Sequence, residues 1–131
     1  MIFNLSKVLV TVLTATAVTA SKSHVNRKRQ TDLTVCDFVF KPDTTVDSTT
    51  TDLVPEFNYV IGRSLALETG GGIFNDGSSF AENPDQLFSV HNEVSADGKT
   101  REETAAIINA WAGQTKEGLV ANWFVESVSC A

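Results

Sequence analysis

Cys36 and Cys130 stand near the two ends of the chain that follows Gln30, and the sequence contains no other cysteine. Two lone cysteines without flanking histidines are a poor basis for a metal site or a catalytic thiol. On an oxidising secretory route, one disulfide between them is the natural pairing. A bond closing so long a loop stabilises a domain by about 4–5 kcal/mol in the chain-entropy treatment. It also requires a segment near the start of the fold to lie beside a segment at its end.

The stretch ahead of these cysteines indicates the redox compartment. Residues 1–20 carry Lys7, then the apolar run Val8-Leu9-Val10-Thr11-Val12-Leu13, then small residues with Val18 and Ala20 at the −3 and −1 positions. This is the pattern of a secretory signal peptide, and its apolar run is about half the ~20 residues a membrane-spanning helix needs. Residues 21–29 form a short polar segment ending in Arg27-Lys28-Arg29, which resembles a kexin-type maturation site. Cleavage after Lys28 and Arg29 would leave residues 30–131 as a single α+β domain beginning at Gln30. Five of the ten basic residues precede Gln30 and all sixteen acidic residues follow it, so this domain carries a net charge of −11. Such a balance argues against nucleic acid and anionic membranes as partners, because both require clustered Lys and Arg.

The order of elements follows from hydrophobic period and turn chemistry. Leu33 to Phe40 is rich in β-branched and aromatic residues and reads as a strand stopped by Pro42. A Thr/Asp/Ser loop fills residues 43–51. With Asp52 as N-cap, Leu53, Phe57, Val60, Ile61 and Leu65 recur at helical spacing as far as Gly70-Gly71-Gly72. Ile73 to Ser78 reads as a short strand running into an Asp76-Gly77 turn, and Leu87 to Val94 as another strand before the Asp97-Gly98 turn. Thr100 and Glu103 form a capping box for a helix that buries Ala105, Ile108, Trp111 and Ala112, with Gly113 as its stop. Leu119 to Ser129 alternates and ends the chain in a strand. The order β-α-β-β-α-β resembles the ferredoxin-like arrangement, which implies a four-stranded antiparallel sheet of order 4-1-3-2 with two helices on one face. In that topology the last strand lies beside the first, which brings Cys130 to Cys36.

Strict alternation puts Cys36, Phe38, Phe40, Phe124, Val128 and Cys130 on one face of the sheet. Leu33, Val35, Val39, Leu119, Trp123 and Val125 fall on the other. If the helices cover the first face, the second is an apolar surface too large for a soluble monomer to leave open. The expected cover is a second copy, because proteins of this order often pair sheet to sheet as dimeric α+β barrels. Those six residues are therefore the expected homodimer interface.

Few residues carry a recognisable chemistry. His91 is the only histidine after Gln30 and lies on the strand with Ser89 and Glu93. It is the one candidate catalytic base, with no nucleophile or oxyanion donor legible beside it. The Asp-Gly pairs lack the spacing of a calcium loop, and the glycine run lacks the lysine and helix of a phosphate loop, so no cofactor or metal is expected. No N-glycosylation sequon follows Gln30.

The layout of leader, Lys-Arg segment and small disulfide-closed domain resembles the small secreted proteins of filamentous fungi, some of which act as effectors. The resemblance implies an extracellular interaction protein acting on host or competitor proteins. Two other classes share the element order. One is the propeptide-type protease inhibitors, which present an extended C-terminal tail. The other is the small dimeric α+β barrel enzymes or ligand-binding proteins, in which His91 would act.

Overall fold

The computed structural model describes residues 32–131. The expected signal peptide and the expected processing segment with Lys28 and Arg29 lie outside the described residues. β1 (Thr34–Pro42) is the strand from which the sheet is built: Cys36, Phe38 and Phe40 point into the core, while Asp37, Val39 and Lys41 point away from it. β3 (Leu87–Ala96) pairs with one of its edges and β5 (Asn122–Cys130) with the other, both antiparallel.

α1 (Leu53–Thr69) starts where the Asp52 carboxylate accepts the Val54 N–H at 3.2 Å. It ends at Gly70, whose φ of 72° is a left-handed value that glycine adopts without a Cβ penalty. α2 (Arg101–Asn109) has the complete capping box: Thr100 Oγ1 accepts the Glu103 N–H at 3.1 Å and Glu103 Oε1 accepts the Thr100 N–H at 2.9 Å. Of the stripe expected for α2, Ile108 and Trp111 are buried, whereas Ala112 is exposed and Thr104 takes an inward place. Leu53, Phe57, Val60, Ile61 and Leu65 from α1 and Ile108 from α2 share one cluster with Cys36, Phe38 and Phe40. Phe57 and Trp123 meet edge to face at 4.8 Å at its centre.

Three features differ from the sequence reading. Among the described residues the sheet has five strands where four were expected; with β2 (Ile73–Asn83) and β4 (Thr115–Glu117) the order is β2-β3-β1-β5-β4. The additional strand, β4, pairs with the start of β5. Three polar residues give no alternation to read, and a short charged strand suits a sheet edge. Second, β2 runs straight through Asp76-Gly77. Asp76 is the extra residue of a bulge opposite β3, with Gly77 at φ 120°. Asn92, inward on β3, stitches this bulge by donating to Asn75 Oδ1, the Gly77 carbonyl and Ser78 Oγ at 2.8–2.9 Å.

Third, the faces of β5 are not the ones strict alternation assigns. Val39 pairs with Ser127 and Phe40 with Val125, so Glu126 is an extra residue that shifts the register. Beyond a one-residue bulge, every side chain moves to the opposite face. Val128 and Cys130 stay on the side of Phe38 and Cys36, but Trp123 and Val125 join them there, fully buried, and Phe124 turns outward.

Cys36 and Cys130 form the disulfide and face each other across β1 and β5 with Cα atoms 4.1 Å apart. Val35 and Ala131 beside them exchange both backbone hydrogen bonds, which makes the cysteines a close, non-hydrogen-bonded pair.

Candidate functional site

Two surfaces stand out, one on the open face of the sheet and one at the connection between β4 and β5.

On the open face the register lines up Ser79, His91, Asp37 and Ser129, one from each of four neighbouring strands. His91 Nδ1 lies 2.8 Å from Asp37 Oδ1 and its Nε2 lies 3.6 Å from Glu93 Oε2, so the ring sits between two carboxylates. The hydrogen bond with Asp37 is the main cause that raises the His91 pKa above the ordinary histidine value. Ser79, Ala81, Val39, Ser89 and Ser127 complete a shallow depression of about 540 Å³. Serine hydroxyls rim it, apolar side chains including Val39, Phe80 and Val128 also line it, and it is open to water.

Its geometry does not assemble hydrolytic chemistry. The ring nitrogen free of Asp37 faces Glu93, and among the described residues no hydrogen bond joins His91 to Ser79 or Ser89. The backbone N–H groups of β1 and β3 beneath the depression are engaged in ladders on both sides of each strand, so these two strands offer no free main-chain donors to a developing oxyanion.

The second surface is the turn Gly118-Leu119-Val120-Ala121. Leu119 is 67% exposed and Val120 45%, both large aliphatic side chains in water. Their backbone is held from below by Glu56, a buried residue of α1. One carboxylate oxygen accepts the Leu119 N–H at 2.9 Å, and the other accepts the Val120 N–H at 3.0 Å and the Trp123 indole N–H at 2.9 Å. Asp43, just past β1, grips the far side: its two oxygens accept the backbone and side-chain N–H groups of Asn122 at 3.1 and 3.0 Å. Gly118 is required by this packing. A Cβ there would collide with Glu56 Oε2 and lie 2.6 Å from the Ala121 carbonyl. Two carboxylates thus fix a turn whose apolar side chains have nothing to cover them.

The six residues expected to share one interface are dispersed. Val35 and Val39 are half-buried on the open face, and Leu33 is half-buried ahead of β1. Trp123 and Val125 lie in the core and Leu119 is on the turn. Phe124, assigned to the helix side by alternation, is 37% exposed on the open face instead. Glu56, Gly118 and Asp43 were not singled out from the sequence. The legible signal was Glu56 itself, an acidic residue on the helical stripe of Leu53, Phe57 and Val60, where a buried charge needs partners.

Among the described residues, no group of three or more His, Cys, Asp or Glu side chains is placed to hold a metal ion, and no helix is long and apolar enough to cross a membrane. Comparison with protein-family models, with curated proteins and with solved structures returned no match.

Proposed function

We propose that this chain is a small secreted acidic interaction protein, effector-like, that acts on extracellular or host proteins by contact and not by catalysis. The observation that carries this reading is the Leu119-Val120 turn, apolar side chains left in water on a backbone that a buried carboxylate holds in place. A surface ordered in advance loses less conformational entropy on association, and removing exposed aliphatic side chains from water in a contact is favourable. The disulfide is compatible with an oxidising compartment. For the fold, the four longer strands and two helices support a ferredoxin-like arrangement extended by β4.

The test compares secreted wild-type protein with a Leu119→Asp/Val120→Asp variant. Each is immobilised and exposed to extracellular fluid of candidate hosts, and captured proteins are then purified and titrated directly. The expected result is a partner whose affinity falls by roughly tenfold or more in the variant. A partner bound equally by both proteins would overturn the assignment of the turn.

The alternatives have specific observations against them. A propeptide-type inhibitor presents an extended segment to its protease, whereas here the last strand is held in the sheet as far as Ala131, which exchanges both backbone hydrogen bonds with Val35. Nor does the turn supply that segment: the adjacent N–H groups of Leu119 and Val120 both point inward at Glu56, whereas an extended protease-binding segment alternates their direction. A dimeric barrel enzyme using His91 lacks a nucleophile bonded to that ring among the described residues, so the open-face depression is better read as a mixed polar and apolar contact surface. The homodimer through the sheet face retains Val35 and Val39 as its apolar basis and loses Trp123 and Val125 to the core.

A further inference from the structure

The segment between β1 and α1 contains six hydroxyl residues, Thr44, Thr45, Ser48, Thr49, Thr50 and Thr51, directly after Pro42. Thr51, just ahead of Asp52, is half-buried, and the structure divides the other five into two kinds. Three are occupied: Thr49 Oγ1 donates to Asp47 Oδ1 at 2.6 Å, Thr50 Oγ1 to the Asp47 carbonyl at 3.3 Å, and Ser48 Oγ to Glu82 Oε1. The two threonines close a local turn about Asp47, and the Thr49 hydroxyl is the main cause that lowers the Asp47 pKa. Thr44 and Thr45 are of the other kind. Both are exposed, both lie outside helix and strand, and neither hydroxyl has a hydrogen-bond partner among the described residues.

They are also presented on a fixed arch. On one side, the Asp43 N–H donates to the Asn122 carbonyl at 2.9 Å. On the other, Val46 is buried and bonded in both directions to the Gln86 amide, at 2.7 and 3.1 Å. Two free hydroxyls on an exposed, irregular segment following a proline, in a run rich in Ser and Thr, have the composition and accessibility of O-linked sugar acceptors.

We infer that Thr44 and Thr45 are O-glycosylation sites, modified during passage of the chain through the secretory route. The inference rests on the secretory reading given above. In the reaction, the threonine Oγ1 attacks the anomeric carbon of an activated sugar whose leaving group is a phosphate ester, as in a nucleotide or lipid-phosphate sugar. The new bond joins Oγ1 to that carbon as the bond from carbon to phosphate oxygen breaks. The hydroxyl proton passes to a base of the transferase and the electron pair leaves with the phosphate, so no oxidation or reduction is involved.

The position of Thr44 gives the sugar a structural consequence. Thr44 lines a hollow of about 390 Å³ together with Gly118, Leu119, Val120 and Asn122. A sugar on Thr44 lies over the Leu119-Val120 turn, where its C–H faces cover aliphatic surface and its hydroxyls meet water. The sugar then forms part of the surface a partner meets.

The experiment expresses the full chain with its own leader in a eukaryotic secretory host, beside a Thr44→Ala/Thr45→Ala variant and a Thr49→Ala/Thr50→Ala variant. Intact masses of the secreted proteins are measured, with site mapping by electron-transfer fragmentation. The proposal expects the wild type to be heavier than its polypeptide by whole sugar units mapped to residues 44 and 45. The first variant should lose them and the second should keep them. A secreted wild type of unmodified mass, or sugars that persist in the first variant, overturns it. A chain retained inside the cell overturns the secretory reading first and the proposal with it. An apolar fluorescent dye should bind the first variant more strongly than the glycosylated wild type. Equal binding overturns the placement of the sugar over Leu119 and Val120.

Discussion

Glu56 and Trp123 meet in the interior at 2.9 Å, the carboxylate accepting the indole N–H while it also holds the backbone of the β4–β5 turn. One side chain on α1 thereby ties the core to the exposed surface, and the two can be separated by substitution. Glu56→Gln keeps the shape but gives the group an N–H₂ that faces donors. It should destabilise the fold by about 2 kcal/mol, the scale of hydrogen bonds to a charged group. Gly118→Ala should destabilise by a similar ~1–3 kcal/mol, by overpacking at the same spot. Urea unfolding followed by Trp fluorescence measures both; an unchanged midpoint in either variant contradicts the geometry.

The Glu126 bulge makes a sharp prediction about β5. Trp123→Glu places an unpaired charge in the core and should leave the protein unfolded or unsecreted, because removing a large buried aromatic already costs about 3–5 kcal/mol. Phe124→Glu, one residue along and on the open face, should fold normally. The same variant tests the sheet-face homodimer. Light scattering that reads a dimer for the wild type and a monomer for Phe124→Glu or Val39→Glu supports it. A wild-type monomer removes it.

Much of this architecture was legible because local rules and the tertiary fold agree. Asp52, Thr100 and Gly70 cap their helices as their side chains and backbone freedom dictate, and the Cys36–Cys130 pairing follows from the adjacency of the first and last strands. What was not legible depends on irregularity. A bulge at Glu126 leaves no mark on an alternating sequence, yet it reverses Trp123, Phe124 and Val125. The Asp76-Gly77 pair reads as a turn because the element that straightens it, Asn92, lies on another strand. The pinned turn was hidden for the same reason: Glu56 and Val120 are 64 residues apart.

His91 should titrate above the ordinary histidine value of about 6.5, and Asp37→Asn should bring it down, since the hydrogen bond with Asp37 is the principal cause of the rise. A raised folded pKa means the His91 contribution to stability is fully present below the unfolded value and is lost as pH rises through the folded one. The ring is exposed, so the effect on stability is small and screened by salt. NMR titration of the imidazole measures the shift directly. A midpoint at or below the ordinary value, or one indifferent to Asp37→Asn, contradicts the pairing.

The disulfide should be the largest single contribution to stability apart from hydrophobic burial. It joins residues 94 apart in sequence, for which the chain-entropy treatment gives about 4–5 kcal/mol. Cys36 is fully buried beside Phe38, and small serine hydroxyls in place of both sulfurs would add a polar penalty, so Cys36→Ala/Cys130→Ala is the cleaner variant. Its unfolding midpoint in urea should fall far below that of the oxidised wild type, and added reductant should move the wild type toward it. Apart from the bulge at Glu126, the β1–β5 ladder around the bond runs from Val35 and Ala131 to Pro42 and Trp123. The reduced protein should therefore keep its far-UV circular dichroism while losing resistance to proteolysis. Loss of secondary structure on reduction without denaturant would show instead that the ladder depends on the bond.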